Sequence, residues 1–115
     1  MATYSKQLLS GSTDGQGVVL SQTSTPGNNI HTAISGTSGF DELWLYATNT
    51  SATTQTVTIE YGNTSVSGNI TLDIAGDSGL VLLVPGLPVN NASVVKGFSS
   101  SANDITIYGF VNRIS

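Results

Sequence analysis

An all-β sandwich is the fold this sequence predicts, and three observations predict it. Ser (16), Thr (15), Asn (9) and Gly (13) dominate the 115 residues, while Val (10), Leu (10) and Ile (8) supply most of the apolar content. Hydroxyl, amide and β-branched residues favour strands and turns over helix. Short runs of apolar–polar alternation recur between clusters of Gly, Pro, Asn and Asp, as in sandwiches and barrels. No stretch of adequate length repeats at the helical period. The expectation for residues 1–115 is one domain: two antiparallel sheets of eight or nine short strands, jelly-roll-like, with an immunoglobulin-like sandwich as the alternative.

The elements follow in order. Residues 3–10 alternate Tyr4, Lys6 and Leu8 against Ser5, Gln7 and Leu9, which suits an N-terminal arm or a first edge strand equally. A loop at 11–15 precedes 17–23, with Val18 and Leu20 on one face. Thr-Pro-Gly-Asn-Asn (25–29) places Pro and Gly where a type II turn wants them. Residues 30–35 set Ile30, Thr32 and Ile34 opposite His31 and Ala33. The segment 42–49 is the most aromatic. Residues 54–61 put Val57, Ile59 and Tyr61 on one face and Thr56, Thr58 and Glu60 on a wet one. Ile70, Leu72 and Ile74 alternate with Asn69, Thr71 and Asp73. Leu80 to Val84 is followed by Pro85-Gly86-Leu87-Pro88, expected to end that strand, and 92–98 and 104–114 complete the set.

Charge narrows function. Lys6, Lys96 and Arg113 stand against seven acidic residues, for a net charge of −4. Nucleic-acid binding draws its affinity from clustered Lys and Arg on phosphates, and anionic membranes attract polybasic segments; neither partner is expected. The absence of Cys removes disulfides and thiolate chemistry. No apolar run approaches the roughly 20 residues of a membrane helix, and residues 1–10 lack the apolar core of a signal peptide. The expectation is synthesis in a cytoplasm, with work there or exit by another route.

Chemistry-bearing motifs are sparse. His31 is the single histidine and reads as a polar residue on an outer strand face. Asp41 and Glu42 are adjacent, so on a strand they point to opposite faces and form no acid–base pair. Asp73 and Asp77 flank a turn without the ligand pattern of a calcium loop. Neither a nucleophile elbow nor a phosphate-binding loop occurs. Asn-x-Ser/Thr triplets at Asn49, Asn63, Asn69 and Asn91 match what the composition yields. No catalytic residue, cofactor or metal is expected. A hydrolytic reading would need His31 within hydrogen-bond reach of both a serine hydroxyl and a carboxylate.

The informative signal is a surplus of apolar residues. A strand in a two-layer sandwich has one inward face. With Leu43, Leu45 and Ala47 inward, Trp44 and Tyr46 face out; with Leu80, Leu82 and Val84 inward, Val81 and Leu83 face out. With Ile105, Ile107, Gly109 and Val111 inward, Tyr108 and Phe110 face out. Either loops or the N-terminal segment cover this second face, or it is a protein–protein interface, since exposed aromatic patches mark contact sites. Sparse charge favours an interface, with Trp44, Tyr46, Val81, Leu83, Tyr108 and Phe110 as its residues and a homo-oligomer, most simply a trimer, as the product.

Four stretches carry a resemblance: Lys6–Gly15, Ile30–Thr50, Ser78–Leu87 and Ile107–Ile114. Together they resemble small, cysteine-free virion proteins of tailed bacteriophages. The resemblance implies a particle component, best a capsid decoration or cement protein bracing neighbouring major capsid subunits, with neck, connector or tail components as competitors. A tail-associated glycan-binding module is the second class of function. The implied location is the virion.

Overall fold

The computed structural model describes residues 2–115. Nine strands form two antiparallel sheets: β1 (Tyr4–Leu8), β2 (Val18–Val19), β3 (Asn28–Thr32), β4 (Phe40–Asn49), β5 (Gln55–Tyr61), β6 (Asn69–Ile74), β7 (Val81–Val89), β8 (Val94–Ser99) and β9 (Ile105–Ile114). One sheet, here sheet A, runs β1-β9-β4-β7, with β2 following β1 along the same edge of β9; sheet B runs β3-β8-β5-β6. The antiparallel pairs β2·β9, β3·β8, β4·β7 and β5·β6 nest inside one another. This is one long hairpin of strands rolled over a core, the jelly-roll arrangement, and not the immunoglobulin-like alternative.

The inward residues of both sheets make that core. Leu43, Leu45, Ala47, Ile105, Ile107 and Val111 from sheet A meet Ile30, Val57, Ile59, Ile74 and Val95 from sheet B, all essentially buried. The alternation of β4 is uninterrupted, every second residue from Asp41 to Asn49 being buried. Gly109 lies opposite Leu45 in the β4–β9 ladder, where a Cβ would collide with the Trp44 carbonyl oxygen. Only glycine lets the two central strands approach that closely.

The N-terminal segment is an edge strand. Residues Tyr4 to Leu8 pair with Ile114 to Phe110, and Thr3 and Ser115 exchange amide hydrogen bonds at 2.6 and 2.9 Å. Met1 of that segment lies outside the described residues.

Five local expectations are corrected. β3 carries a bulge between Asn29 and His31, which puts Ile30 and His31 both inward; His31 is 1% exposed instead of lying on an outer face. Glu60 and Thr58 are buried, not wet, and residues 25–27 cross the outer side of sheet B over Glu60. There Glu60 accepts the Gly27 N–H at 2.6 Å and the Thr25 hydroxyl. Gly27 does not take the left-handed conformation of a type II turn, and the Thr25–Pro26 bond is cis. A Cβ on Gly27 would instead strike the Gly97 backbone, so the glycine serves the crossing.

β7 does not stop at Pro85 but runs on to Val89. It is the outer strand of sheet A, where proline costs no ladder bond if its nitrogen faces away from the partner. Two bulges, at Leu83 and at the left-handed Gly86, also shift its faces. Val81 and Leu83 therefore pack against the core, while Leu80 and Leu82 are exposed, the reverse of the simple alternation.

Candidate interaction surface

The register of sheet A arranges its outward side chains in rows across the strands. One row is Lys6, Asn112, Glu42 and Pro88; the next is Leu8, Phe110, Trp44 and Pro85; a third is Tyr108, Tyr46 and Leu82. Four of the six residues expected at an interface, Trp44, Tyr46, Tyr108 and Phe110, thus meet as two cross-strand pairs. Such pairs stabilise a sheet and give it a flat apolar surface. Val81 and Leu83 are not part of it. Leu8, Leu82 and Pro85 are, and single-strand alternation missed them because their places depend on pairing and on the β7 bulges.

The aromatic centre is held in position. The Trp44 and Phe110 rings are stacked, with centroids 6.3 Å apart and planes 10° apart. The Trp44 indole lies against Gly86, where a Cβ would sit 2.9 Å from the ring. Its Nε1–H donates to Glu42 Oε1 at 2.8 Å, and Asn112 Nδ2 donates to the same oxygen at 3.1 Å. The Trp44 bond, then the Asn112 bond, keeps the Glu42 carboxyl below its ordinary range. The Lys6 ammonium lies 4.6 Å from the Phe110 ring centroid, a cation–π contact. Beside these groups an open cleft of about 390 Å³ is lined by Tyr4, Lys6, Glu42, Asn112 and Ile114.

The two sheets differ in what lies outside them. Residues 25–27 cross the outer side of sheet B and anchor on Glu60, while Thr71 and Asp73 on the same side are exposed. The aromatic side of sheet A is covered only at one edge: β1 and β2 pair in the plane of the sheet, and the loop between them sets Gly15 beside Leu8 and Gly17 beside Thr106 and Tyr108. Trp44, Tyr46 and Phe110 are half-buried, and Tyr4, Leu8, Val19, Leu82 and Tyr108 remain exposed.

A second cluster lies inside the sandwich. Asp41, fully buried, accepts from Arg113 Nε at 2.7 Å and Nη2 at 3.0 Å, from His31 Nε2 at 2.7 Å and from the Ile34 N–H at 3.1 Å. The Ser10 N–H donates to His31 Nδ1 at 3.0 Å, so the ring proton belongs on Nε2, facing Asp41. Both imidazole nitrogens are thereby occupied. The Ser10 hydroxyl accepts the Thr32 N–H at 2.6 Å and makes no bond to His31, so the serine–histidine contact that hydrolysis would need is not formed. The cluster instead ties β1, β3, β4 and β9 together. Asp41 and Glu42 point to opposite faces, as adjacent strand residues must.

Burial pushes the Asp41 carboxyl up, but hydrogen bonds and charge from Arg113, and then from His31, outweigh it and hold the group below its ordinary 3.8. A folded-state pKa below the unfolded one adds stability that is complete above the unfolded value. That stability is lost as pH falls from there through the folded value. In urea titrations below pH 4, Asp41→Asn should therefore lose stability less steeply than the parent chain; equal slopes would remove Asp41 from the acid response.

Other polar residues are structural. Asn49, the first residue of one Asn-x-Ser/Thr triplet, is buried, and its Nδ2 donates to the Thr53 and Ile74 carbonyls at 2.8 and 2.9 Å. Asp73 accepts the Thr56 hydroxyl at 2.7 Å, and Asp77 occupies a left-handed turn position. Among the described residues no three His, Cys, Asp or Glu side chains gather as a metal site, and no helix is long and apolar enough to cross a membrane. Comparison with protein-family models, with curated proteins and with solved structures finds no match.

Proposed function

We propose that the protein is a non-enzymatic structural subunit of a bacteriophage particle, of the capsid decoration or cement kind, and that it makes protein contacts through the outer face of sheet A. The observation that carries the assembly role is the asymmetry between the sheets. Sheet B turns Lys96, Thr56, Thr71 and Asp73 outward and holds residues 25–27 over Glu60, whereas the outward rows of sheet A through Trp44, Phe110, Tyr46 and Tyr108 are apolar and aromatic. The phage setting rests on the resemblance of Lys6–Gly15, Ile30–Thr50, Ser78–Leu87 and Ile107–Ile114.

Its mechanism is burial repeated by symmetry. A standard interface removes about 1,600 Å² from water, and a lattice that presents many copies turns modest contacts into firm attachment through effective concentration. Trp44 and Tyr46 are the anchors, since such residues dominate interface energetics.

Image reconstruction of the particle tests this reading. Density for the protein is expected at equivalent sites over the whole capsid lattice, with Trp44 buried against another subunit. Density at the neck, connector or tail alone would refute the cement assignment. A second reading, glycan binding, draws on the stacked Trp44–Phe110 pair beside Glu42, Asn112 and the open cleft, an aromatic and polar surface of the kind that sugars bind. It requires Trp44 to stay solvent-exposed in the assembled particle.

A further inference from the structure

We propose that the occupant of the outer face of sheet A is a second copy of this chain, turned about a two-fold axis that runs along β9. The inference rests on the reading of that face as a protein contact and names its partner.

Charge and register together fix the orientation. Lys6 and Glu42 are the charged side chains among the described outward residues of β1, β9, β4 and β7, and they stand in the same row on opposite sides of Asn112. β1 and β4 each lie one strand spacing, about 4.8 Å, from β9. A half-turn about β9 exchanges these two columns and preserves height along the strands. Lys6 then faces Glu42 of the second copy, and Leu8 faces its Trp44, each contact occurring twice. Phe110 and Asn112 meet their own counterparts on the axis.

A half-turn about an axis across the strands, through the Leu8–Phe110–Trp44 row, does otherwise. It lays the Lys6–Glu42 row on the Tyr108–Tyr46 row, setting Glu42 against Tyr46 and leaving Lys6 without an acidic partner. Charge pairing thus selects one orientation, which is the role charges play best at interfaces. The strands of the two copies run nearly aligned, within the roughly 30° of ordinary sheet-on-sheet packing. The contact is isologous and closes as a dimer, in place of the trimer expected from the sequence.

Sedimentation equilibrium of the full chain, with charge reversals, tests the arrangement. The parent chain is expected to form a reversible dimer. Lys6→Glu and Glu42→Lys should each weaken it about tenfold or more, because like charges then face each other. The double reversal should restore it, although Glu42→Lys also loses the Trp44 hydrogen bond. Association that Trp44→Asp abolishes but both reversals leave untouched would overturn the two-fold arrangement while keeping the face as a contact. A trimer would overturn it equally. A monomer at every concentration, or association indifferent to Trp44→Asp, would overturn both the arrangement and the use of this face.

Discussion

Asp41→Ala is expected to lower the free energy of unfolding by about 3–5 kcal/mol, the cost of removing one partner from a buried ion pair. The reason lies in what is left behind. Arg113, His31 and the Ile34 amide all donate to this one carboxylate, at 2.7–3.1 Å; His31, 1% exposed, has no water to replace it, while Arg113, 30% exposed, recovers part of its loss. For a chain of this length such a loss corresponds to a fall in Tm of about 12–20 °C. Circular dichroism with urea or heat measures it. Asp41→Asn keeps one carbonyl acceptor and should lose less. A change under about 1 kcal/mol for Asp41→Ala would show that the cluster does not cross-link the sheets.

Gly109→Ala should cost at least as much, about 4 kcal/mol or more, in the range reserved for forced backbone displacement or buried clashes. The added methyl would meet the Trp44 carbonyl oxygen, a backbone atom in the facing strand, and then the Leu45 side chain at 3.1 Å. β4 and β9 share a ten-pair ladder at the centre of sheet A, from Phe40↔Ile114 to Asn49↔Ile105, and must separate near its middle. Soluble yield and Tm should both fall. The contrast is Gly36→Ala, where nothing lies within 4 Å of the new Cβ but φ is 77°. There only left-handed strain applies, about 1–2 kcal/mol. If the two substitutions cost the same, contact with Trp44 is not what the glycine avoids.

Strands whose alternation is unbroken were legible in the sequence, and those broken by a bulge were not. β4 is inward at Leu43, Leu45 and Ala47 and outward at Trp44 and Tyr46, as alternation requires, and β9 behaves alike. β7 and β3 each accommodate extra residues, and one extra residue reverses every face beyond it. That is why Leu82 and His31 point opposite to expectation. Glu60 was hidden for a different reason: its cover comes from Thr25 and Gly27, more than 30 residues earlier, and long-range contact leaves no local pattern.

At the candidate surface the same distinction holds. Trp44, Tyr46, Tyr108 and Phe110 are visible one strand at a time. The flanking Lys6, Leu8, Glu42 and Asn112 become neighbours only once β1, β9 and β4 are in register. Composition carried the rest, since a chain with so few charges has little to desolvate when surfaces meet.

The segment crossing sheet B has one more consequence. With residues 25–27 seated on Glu60 and with Lys96, Thr71 and Asp73 keeping the rest of that side polar, the chain becomes a tile with a single apolar surface. Two-sided plates stack without limit, whereas one-sided plates saturate after one layer. On that geometry two copies that meet face to face are complete, and excess protein stays in solution as closed pairs instead of building outward.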